Sequence, residues 1–457
     1  LEKQATGGAI ARVGFEYQDA FVLRSLPLWL SQSAFSHIVS EALSDIEVCY
    51  FSSEKSLHVM YEAKNHSLTA TEFWDEIRRF KSLFDTHPKN FIWFNLVCPS
   101  YNTAISPLIS KIDRLRGVGS SYDDDSSVSV NGRSEYLDWC VGKKIDFSLA
   151  EFALDYVGFI TFNSENSESI FLSEIQDTIN IELLRSQVKQ LKDQFKNLIS
   201  RSSFGPIYRK DFENFICHAL EEDRSQWLSD PIKINLSTST SQYQDLNLDI
   251  RDFNGPDRAQ KTSSDWNNLI KKAVSIGDFI HSSGDRRTLL IDGKQRMSTA
   301  CMLGYVFSAT RNFLLEIEHN GLAYRTDDHK QKEGQFFNKI APVELQGETE
   351  AIVTIGFPTA IGKDIDSTIN EVKSLPRLNL ESSYAIDNME TLNLAVREAK
   401  SALVSFKSEN KLSKLHLFIK APSVFAMVLG HRLNGVCDIQ LYDWVDGQYI
   451  PTAELSI

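Results

Sequence analysis

Two carboxylates and a lysine near the N-terminus have the types and spacing that metal-dependent phosphodiester hydrolysis requires. Glu62 and Lys64 stand two residues apart in a strand candidate that starts at Leu57, so the two-residue period of a strand puts them on one face. Asp45 begins the preceding strand candidate, and a hairpin would bring its carboxylate towards Glu62. The carboxylates would hold a divalent ion, while Lys64 would orient or deprotonate water or stabilise the developing phosphate charge. Such oxygen ligands suit Mg²⁺ or Mn²⁺.

The acid-x-Lys spacing by itself leaves a second interpretation open. The tripeptide recurs as Glu398-Ala399-Lys400, within the helical pattern of Leu392 to Leu403. There it is expected to be an ordinary surface helix face. Only the strand context and the upstream Asp45 distinguish the first copy from the second.

A basic stripe follows the middle of the chain. Cationic residues recur at spacings of four, three and four beside an apolar helical stripe, namely Arg185, Lys189, Lys192 and Lys196. Such a stripe fits either a solvated helix face or a contact with a DNA phosphate backbone.

An internal repeat occupies the last part of the sequence. A shift of 126 residues aligns Leu289–Thr326 with Leu415–Thr452 without gaps, and eight of the 38 positions are identical. The order of strand, turn, helix ending near glycine, strand and tight turn agrees as well. We therefore predict two pseudo-equivalent Rossmann-like halves.

Cations stand at the strand-to-helix turn of each half. Lys294 and Lys420 occupy equivalent positions, and Arg296 lies beside the first. Because a helix N-terminus presents free N–H groups, two facing turns would grip the phosphates of one ligand. The alternative is that these lysines are simply solvated. Aromatic residues that would stack on a base, or pack in the core instead, are Trp266, Phe357, Tyr442 and Trp444.

The chain as a whole has an ordinary globular composition. Its 457 residues predict about three domains, which we assign as a mixed α/β domain at 1–150, a mainly helical region at 151–254 and a repeat domain at 255–457. The net charge of −13 argues against a role in coating DNA. The six scattered cysteines form no Cys-x-x-Cys pair and lie near no histidine at zinc spacing. They predict a reducing cytoplasm and neither a disulfide scaffold nor a zinc site, and no apolar run predicts a membrane span.

The elements of the first domain follow from hydrophobic patterning. Helices are predicted over Tyr17–Leu30 and Thr71–Phe84, and strands over Ile46–Phe51, Leu57–Ala63 and Phe91–Val97. The Gly- and Ser-rich stretch Gly117–Gly132 is predicted to be a loop.

Three segments, Gly14-Phe15-Glu16-Tyr17-Gln18, Ser44-Asp45-Ile46-Glu47 and Glu62-Ala63-Lys64, together resemble the PD-(D/E)xK nuclease superfamily. The closest likeness is to the branch of bacterial anti-phage effectors. The resemblance implies a restriction-endonuclease-like fold with Asp45, Glu62 and Lys64 as the catalytic core. It also implies Gln18 and Glu41 as auxiliary polar groups near the metal, although Gln18 fits a helix-surface residue equally well.

Separated motifs across 255–457 resemble a SAVED domain, a fusion of two CARF-like units that bind cyclic oligonucleotides. They are Leu289-Leu290-Ile291-Asp292-Gly293-Lys294, Leu303-Gly304-Tyr305, Leu415-His416-Leu417-Phe418, Ala421-Pro422-Ser423 and Ile439-Gln440-Leu441-Tyr442-Asp443. With this resemblance the expected ligand-binding residues are Lys294, Arg296, Lys420, Pro422, Phe357, Trp266 and Tyr442.

A SAVED domain joined to such a nuclease resembles the effector endonuclease of CBASS anti-phage systems. The resemblance implies activation by a cyclic trinucleotide, self-association on ligand binding and rather unselective cleavage of double-stranded DNA. Two other functions stay open at this point. One is a restriction-type nuclease that needs no nucleotide, with a C-terminal half for DNA or a protein partner. The other is a nucleotide sensor with an inactive nuclease fold. Cleavage of RNA is also left open.

Overall fold

The computed structural model describes residues 2–119, 121–123, 125–201, 205–236, 243–330, 332–340, 347–361, 364–365, 372 and 374–456, with side chains from residue 12 onward. The chain divides into two compact units, Leu1–Trp227 and Leu228–Ile457. The helical region expected at 151–254 is divided between them. Among the described residues, we find no helix with both the length and the apolar character needed to cross a membrane.

The first unit is a mixed α/β fold. Its elements in chain order are α1 (Glu2–Ser31), β1 (Phe35–Ser40), β2 (Ile46–Tyr50), β3 (Leu57–Ala63), α2 (Ala70–Thr86), β4 (Phe91–Cys98), α3 (Ser106–Gly119), α4 (Ser127–Gly142), α5 (Phe147–Tyr156), β5 (Val157–Thr161), α6 (Ser167–Ile179), α7 (Arg185–Arg201), β6 (Ile207–Tyr208), α8 (Arg209–Leu220) and α9 (Arg224–Ser229).

These strands form one sheet in the order β5-β4-β3-β2-β1-β6. β1, β2 and β3 pair antiparallel, whereas β3, β4 and β5 pair parallel. The predicted helices and strands of this domain are confirmed, and β1 is an addition to them. The loop predicted over Gly117–Gly132 is wrong at both ends, because α3 continues to Gly119 and α4 begins at Ser127. Glycine and serine there are tolerated on exposed helix faces.

Helix α2 carries the stripe that anchors it to the sheet. Thr69 and Glu72 form a capping box at its start, which satisfies free N–H groups of the first turn. Phe73, Ile77 and Phe80 recur at helical spacing and are buried. Polar residues that flank this stripe are therefore held close to the sheet.

The second unit contains the repeat. Its elements are β7 (Ile232–Asn235), β8 (Leu246–Asn247), α10 (Arg251–Asn254), α11 (Ser263–Ser283), β9 (Thr288–Asp292), α12 (Met297–Val306), β10 (Leu314–His319), β11 (Leu322–Arg325), β12 (Asn338–Ile340), β13 (Glu350–Gly356), β14 (Arg377–Glu381), α13 (Met389–Asn410), β15 (Lys414–Lys420), α14 (Ser423–Arg432), β16 (Asp438–Val445) and β17 (Gln448–Leu455).

The two halves have the same topology, so the predicted pair of Rossmann-like halves is confirmed. One sheet runs β11-β10-β9-β7-β8, and the other runs β17-β16-β15-β13-β14 with β12 added at its edge. Helix α12 and helix α14 pack against each other between the halves. Both tight turns have positive φ angles, at Asn320-Gly321 and at Asp446-Gly447, as a type I′ hairpin requires.

Candidate functional site

The antiparallel pairing of β2 with β3 brings two carboxylates together. Ile46 pairs with Tyr61, so the next residues outward, Asp45 and Glu62, lie opposite each other. The Ala63 N–H donates a hydrogen bond to Asp45 Oδ2 over 2.7 Å. This bond fixes the Asp45 carboxylate at the end of the hairpin, next to Glu62, which is itself buried.

Lys64 completes this group from the end of β3. Its Nζ lies 2.7 Å from Glu62 Oε1 and 3.1 Å from Glu76 Oε1 on α2. Burial alone would lower the pKa of Lys64, but its hydrogen bonds and ion pairs with Glu62 and Glu76 raise it above its ordinary value. Lys64 is therefore a fixed cation in this state of the site.

The two carboxylates repel each other in a poorly solvated place. Burial, and then the Glu62 charge, raise the pKa of Asp45 to about 6, although the Ala63 hydrogen bond opposes this. Two carboxylates so placed are the oxygen donors that a divalent cation takes, and a cation would relieve their repulsion. The site therefore fits a divalent metal ion held by Asp45 and Glu62.

Two contributors from α2 were missed by the sequence analysis. Arg79 forms an ion pair with Glu62 through Nη2, binds Glu76 Oε2 through Nε over 2.7 Å, and donates to the Leu43 carbonyl through Nη1 over 2.9 Å. Glu76 in turn holds Lys64. Their one sequence signal is their position beside the buried stripe of α2, which does not by itself indicate a partner on β3.

The two auxiliary residues lie at different distances from this centre. The N–H of Glu41 donates to the carbonyl of Asp45 over 3.1 Å, and its charge also acts on Asp45. Gln18 is half-buried on α1, a helix whose Phe21 packs on Tyr61. Tyr61 and Glu62 are successive strand residues and point to opposite faces. The hydrogen bonds of the described residues do not join Gln18 to Asp45 or Glu62.

The predicted basic stripe lies on α7, but its members differ in their surroundings. Arg185 and Lys189 are exposed. Lys192 and Lys196 instead donate to the two oxygens of Glu168 on α6, over 2.9 and 3.0 Å. Two of the four cations are thus already engaged in ion pairs within the protein.

A cavity of about 490 Å³ lies where the two halves of the second unit meet. This volume is in the range of small-ligand sites. Its lining residues are Gln295, Arg296, Met297, Asp364, Ile419, Lys420, Ala421, Asp443, Trp444 and Tyr449. Arg296 and Lys420, both predicted from the repeat, are therefore brought to one cavity. Lys294 is exposed in the same turn, and Pro422 directly follows the lining residue Ala421.

Three predicted stacking aromatics lie in the hydrophobic core instead of this cavity. Phe357 packs among Phe336, Phe337 and Phe425, Trp266 is buried against Phe253, and Tyr442 stacks on Phe418. Apolar patterning cannot distinguish such core positions from a ligand site.

Trp444, the fourth predicted stacking aromatic, is exposed at the cavity. Its side chain is 44% exposed, it lines the cavity, and its ring lies 4.9 Å from that of Tyr449. Asp443 beside it was not predicted. One of its oxygens accepts the Ser298 N–H at the start of α12 over 3.0 Å, and burial raises the pKa of this carboxyl.

Two family descriptions match the chain, one in each unit. Residues 6–203 match "Cap4, dsDNA endonuclease domain". Residues 275–455 match "SAVED: SMODS-associated and fused to various effectors sensor domain". The chain is 96% identical to CD-NTase-associated protein 4 of Acinetobacter sp. over 100% of its length and 99% of the relative. It is 77% identical to the protein of the same name from Moraxella osloensis, with the same coverage.

Solved structures agree over almost the whole chain. The chain is similar to the Acinetobacter baumannii Cap4 SAVED/CARF-domain containing receptor with the cyclic trinucleotide 2′3′3′-cAAA, at 94% identity and a TM-score of 0.93, covering 97% of this chain and 99% of that one. The same receptor with 3′3′3′-cAAA gives a TM-score of 0.92 at 94% identity, with the same coverage. The Moraxella osloensis receptor gives 0.87 at 72% identity, covering 97% of this chain and 100% of that one.

Proposed function

The chain belongs to the CD-NTase-associated protein 4 family, and on this premise we propose how its nuclease is built and how a cyclic trinucleotide switches it on. Members of this family are CBASS effectors that join an endonuclease for double-stranded DNA to a SAVED sensor. The chain is accordingly an endonuclease of double-stranded DNA.

We propose that Asp45, Glu62 and Lys64 form the catalytic centre. The observation that carries this assignment is the shared contact network at the end of the β2–β3 hairpin, in which Asp45 lies opposite Glu62 and Lys64 binds Glu62. Nuclease chemistry of this kind depends on a divalent metal, which we propose to be Mg²⁺ or Mn²⁺ held by Asp45 and Glu62. The metal would polarise the attacked phosphate and supply a nucleophilic water at neutral pH.

The proposed catalytic role of Lys64 follows from its positive charge. In the metal-free site the hydrogen bonds and ion pairs with Glu62 and Glu76 raise the pKa of Lys64, and we propose that Lys64 acts as a cation. A fixed cation at this position stabilises the negative charge that develops on the phosphate. Arg79 and Glu76 then serve as positioning residues, since Arg79 binds Glu62 and Glu76 binds Lys64.

DNA contacts are assigned to the exposed end of α7. Arg185 and Lys189 lie on the surface of the nuclease unit, and cations there would bind phosphates without reading sequence. Such contacts fit cleavage of low sequence specificity. Lys192 and Lys196 contribute less, because both are already paired with Glu168.

The sensor cavity is proposed to bind a cyclic triadenylate. Relatives were solved with 2′3′3′-cAAA and 3′3′3′-cAAA, and this cavity presents two cations and an exposed indole. Arg296 and Lys420 would bind phosphates, and Trp444 would stack on a base.

Switching requires that the ligand prefer one state of the protein. A nucleotide that bound resting and active forms equally would shift nothing. We propose that the bound nucleotide favours a self-associated form in which the nuclease sites become competent. A cytoplasmic setting fits the six cysteines, none of which is joined in a disulfide within the described part of the chain.

The test combines plasmid DNA and Mg²⁺ with and without each cyclic triadenylate, while light scattering follows self-association. Lys64→Ala is compared with Lys400→Ala, which truncates the same tripeptide on α13. We expect cutting only with nucleotide, abolished by Lys64→Ala and retained by Lys400→Ala. Cutting without nucleotide would indicate a constitutive nuclease. Nucleotide binding without cutting of DNA would indicate a sensor with another output, and cutting of RNA in its place would change the substrate.

A further inference from the structure

A mixed group of metal-binding side chains lies on the nuclease sheet, away from the catalytic carboxylates. It consists of Glu47 and Cys49 on β2 and His58 on β3. His58 Nδ1 lies 2.5 Å from Glu47 Oε1 and 3.5 Å from Cys49 Sγ, and Cys49 Sγ lies 3.7 Å from Glu47 Oε1. A carboxylate oxygen, a thiol sulfur and an imidazole nitrogen thus form one small triangle.

The sheet register explains why these three atoms meet. Cys49 pairs across the strands with His58, and directly opposed residues share one face. Glu47 precedes Cys49 by two residues, which puts it on that same face. His37 pairs with Cys49 from the other side of β2. The sequence spacing conceals this arrangement, because its members come from two strands that the register aligns.

The triangle has dimensions close to those of a tetrahedral zinc site. Zinc bonds of about 2.0–2.3 Å to nitrogen, oxygen and sulfur separate neighbouring ligand atoms by about 3.4–3.6 Å. The two distances that involve Cys49 Sγ, 3.5 and 3.7 Å, already agree with this. Only the contact between His58 and Glu47 must open, by about 1 Å, as a metal replaces their hydrogen bond.

Burial and charge favour a divalent cation over the other chemistry that these residues offer. Cys49 is 1% exposed and Glu47 is 7% exposed. Burial, and then the Glu47 charge, raise the pKa of Cys49, so it is a protonated, inaccessible thiol and a poor nucleophile. A divalent ion bound to one carboxylate, one thiolate and one neutral imidazole makes a buried centre without net charge, which avoids the penalty for an unpaired buried ion.

We propose that Glu47, Cys49 and His58 form a structural zinc site that fastens β2 to β3. Binding releases the Cys49 proton to solvent, and the thiolate and imidazole select a borderline-soft ion such as Zn²⁺. Glu47 lies on β2 just after Asp45, and His58 lies on the strand that carries Glu62. The site therefore braces the hairpin that aligns the catalytic carboxylates. Its ligands on β2, Glu47 and Cys49, lie about 7 and 13 Å along the strand from Asp45.

The first experiment uses Co²⁺ as a spectroscopic substitute on the full chain after removal of metal by a chelator. Sulfur ligation gives a thiolate-to-cobalt charge-transfer band, which the sulfur-free catalytic site cannot give. We expect one equivalent of Co²⁺ to produce this band, Cys49→Ser to abolish it and Cys98→Ser to retain it. Cys98 is an equally buried thiol on β4 that donates to the Ser100 carbonyl. No band, or one unchanged in Cys49→Ser, would overturn the proposal.

The second experiment controls for misfolding of the variant and for binding of zinc at the catalytic centre. Asp45→Asn serves as the background, since it removes a catalytic carboxylate. Zinc at about a hundred times its Kd is expected to raise the Tm of the nuclease unit by on the order of 5–10 °C. The same zinc is expected to leave the Tm of a folded Asp45→Asn/His58→Ala chain unchanged. An equal rise in both chains would refute the site.

Discussion

Gly304 on α12 packs against α14, and Gly430, its equivalent in the repeat, packs from α14 against α12. A Cβ on Gly304 would lie 1.9 Å from the Met427 carbonyl oxygen, and a Cβ on Gly430 would lie 2.1 Å from the Cys301 carbonyl oxygen. Met427 is itself the counterpart of Cys301 at the shift of 126 residues. The α12–α14 contact is therefore made by one backbone arrangement used twice, around a local pseudo-twofold axis.

We predict that Gly304→Ala destabilises the sensor unit by about 3 kcal/mol or more, because a new methyl group would meet backbone that cannot move aside alone. Calorimetry should show a lower Tm for that unit. Gly117→Ala is the matched control, since no atom of the described residues lies within 4 Å of its Cβ position on α3. It is expected to stabilise by about 0.5–1 kcal/mol. An unchanged Tm in Gly304→Ala would show that α12 and α14 can move apart without loss of stability, contrary to the prediction.

Asp45 gives the stability of the metal-free protein a pH dependence. Its folded-state pKa is raised to about 6, while in the unfolded chain an aspartate loses its proton near pH 4. Between these values the folded state binds more protons, so stability falls as pH rises through the window, by on the order of 2–3 kcal/mol.

Asp45→Asn should remove this loss, because the amide carries no charge and can still accept the Ala63 N–H. Urea unfolding in chelator at pH 5 and pH 8 measures the difference. We expect the variant to be the more stable chain at pH 8 and the gap to shrink at lower pH. Equal pH dependence in both chains would contradict the raised pKa.

Arg79→Ala is predicted to lower nuclease activity about 10–100-fold and to raise the metal concentration for half-maximal activity. Arg79 orients Glu62 and Glu76, and loss of groups that orient metal ligands has effects of this size. Arg78→Ala is the control, since Arg78 forms an exposed ion pair with Asp75 on the same helix. Steady-state kinetics over a metal titration distinguishes them, and parallel behaviour of the two variants would argue against the positioning role.

Trp444→Ala and Phe357→Ala should separate ligand binding from packing. Loss of the exposed indole is expected to weaken cyclic triadenylate binding about 10–100-fold by calorimetric titration, with little change in Tm, because stacking on a base is worth about 1–3 kcal/mol. Phe357→Ala should lower stability by about 3–5 kcal/mol, because it leaves a core cavity. Unchanged affinity in Trp444→Ala would remove Trp444 from the binding site.

Neutralising the exposed cations of α7 should weaken DNA binding by a salt-dependent amount. For Arg185→Ala/Lys189→Ala, we expect the slope of log K against log salt to fall by about 1.8 units, since each phosphate contact contributes about 0.9. Lys192→Ala should leave that slope nearly unchanged, because Glu168 already binds this lysine. A larger effect from Lys192→Ala would place the DNA elsewhere on the helix.

Periodicity within the sequence was enough to predict the strand hairpin of Asp45, Glu62 and Lys64, because strand period and pairing are local properties. The repeat was also visible in the sequence, but it extends further in the structure. Helix α11 begins at Ser263 and helix α13 at Met389, again 126 residues apart. At the same shift four residues of α11 are identical to their counterparts in α13, namely Asn267/Asn393, Ala273/Ala399, Ser275/Ser401 and Ser282/Ser408.

Only the tertiary structure determines which side chains contact each other across the sheet or between the two halves of the repeat. In the folded protein Arg79 binds Glu62 and Glu76 binds Lys64. Phe357 is buried in the core, whereas Trp444 lines the cavity. The tertiary structure also brings together the Glu47, Cys49 and His58 triangle from neighbouring strands. The sequence determined the elements and the face of each residue, since these depend on local periodicity. Partners distant in the chain depend on strand register and helix packing, which the whole chain determines through its core.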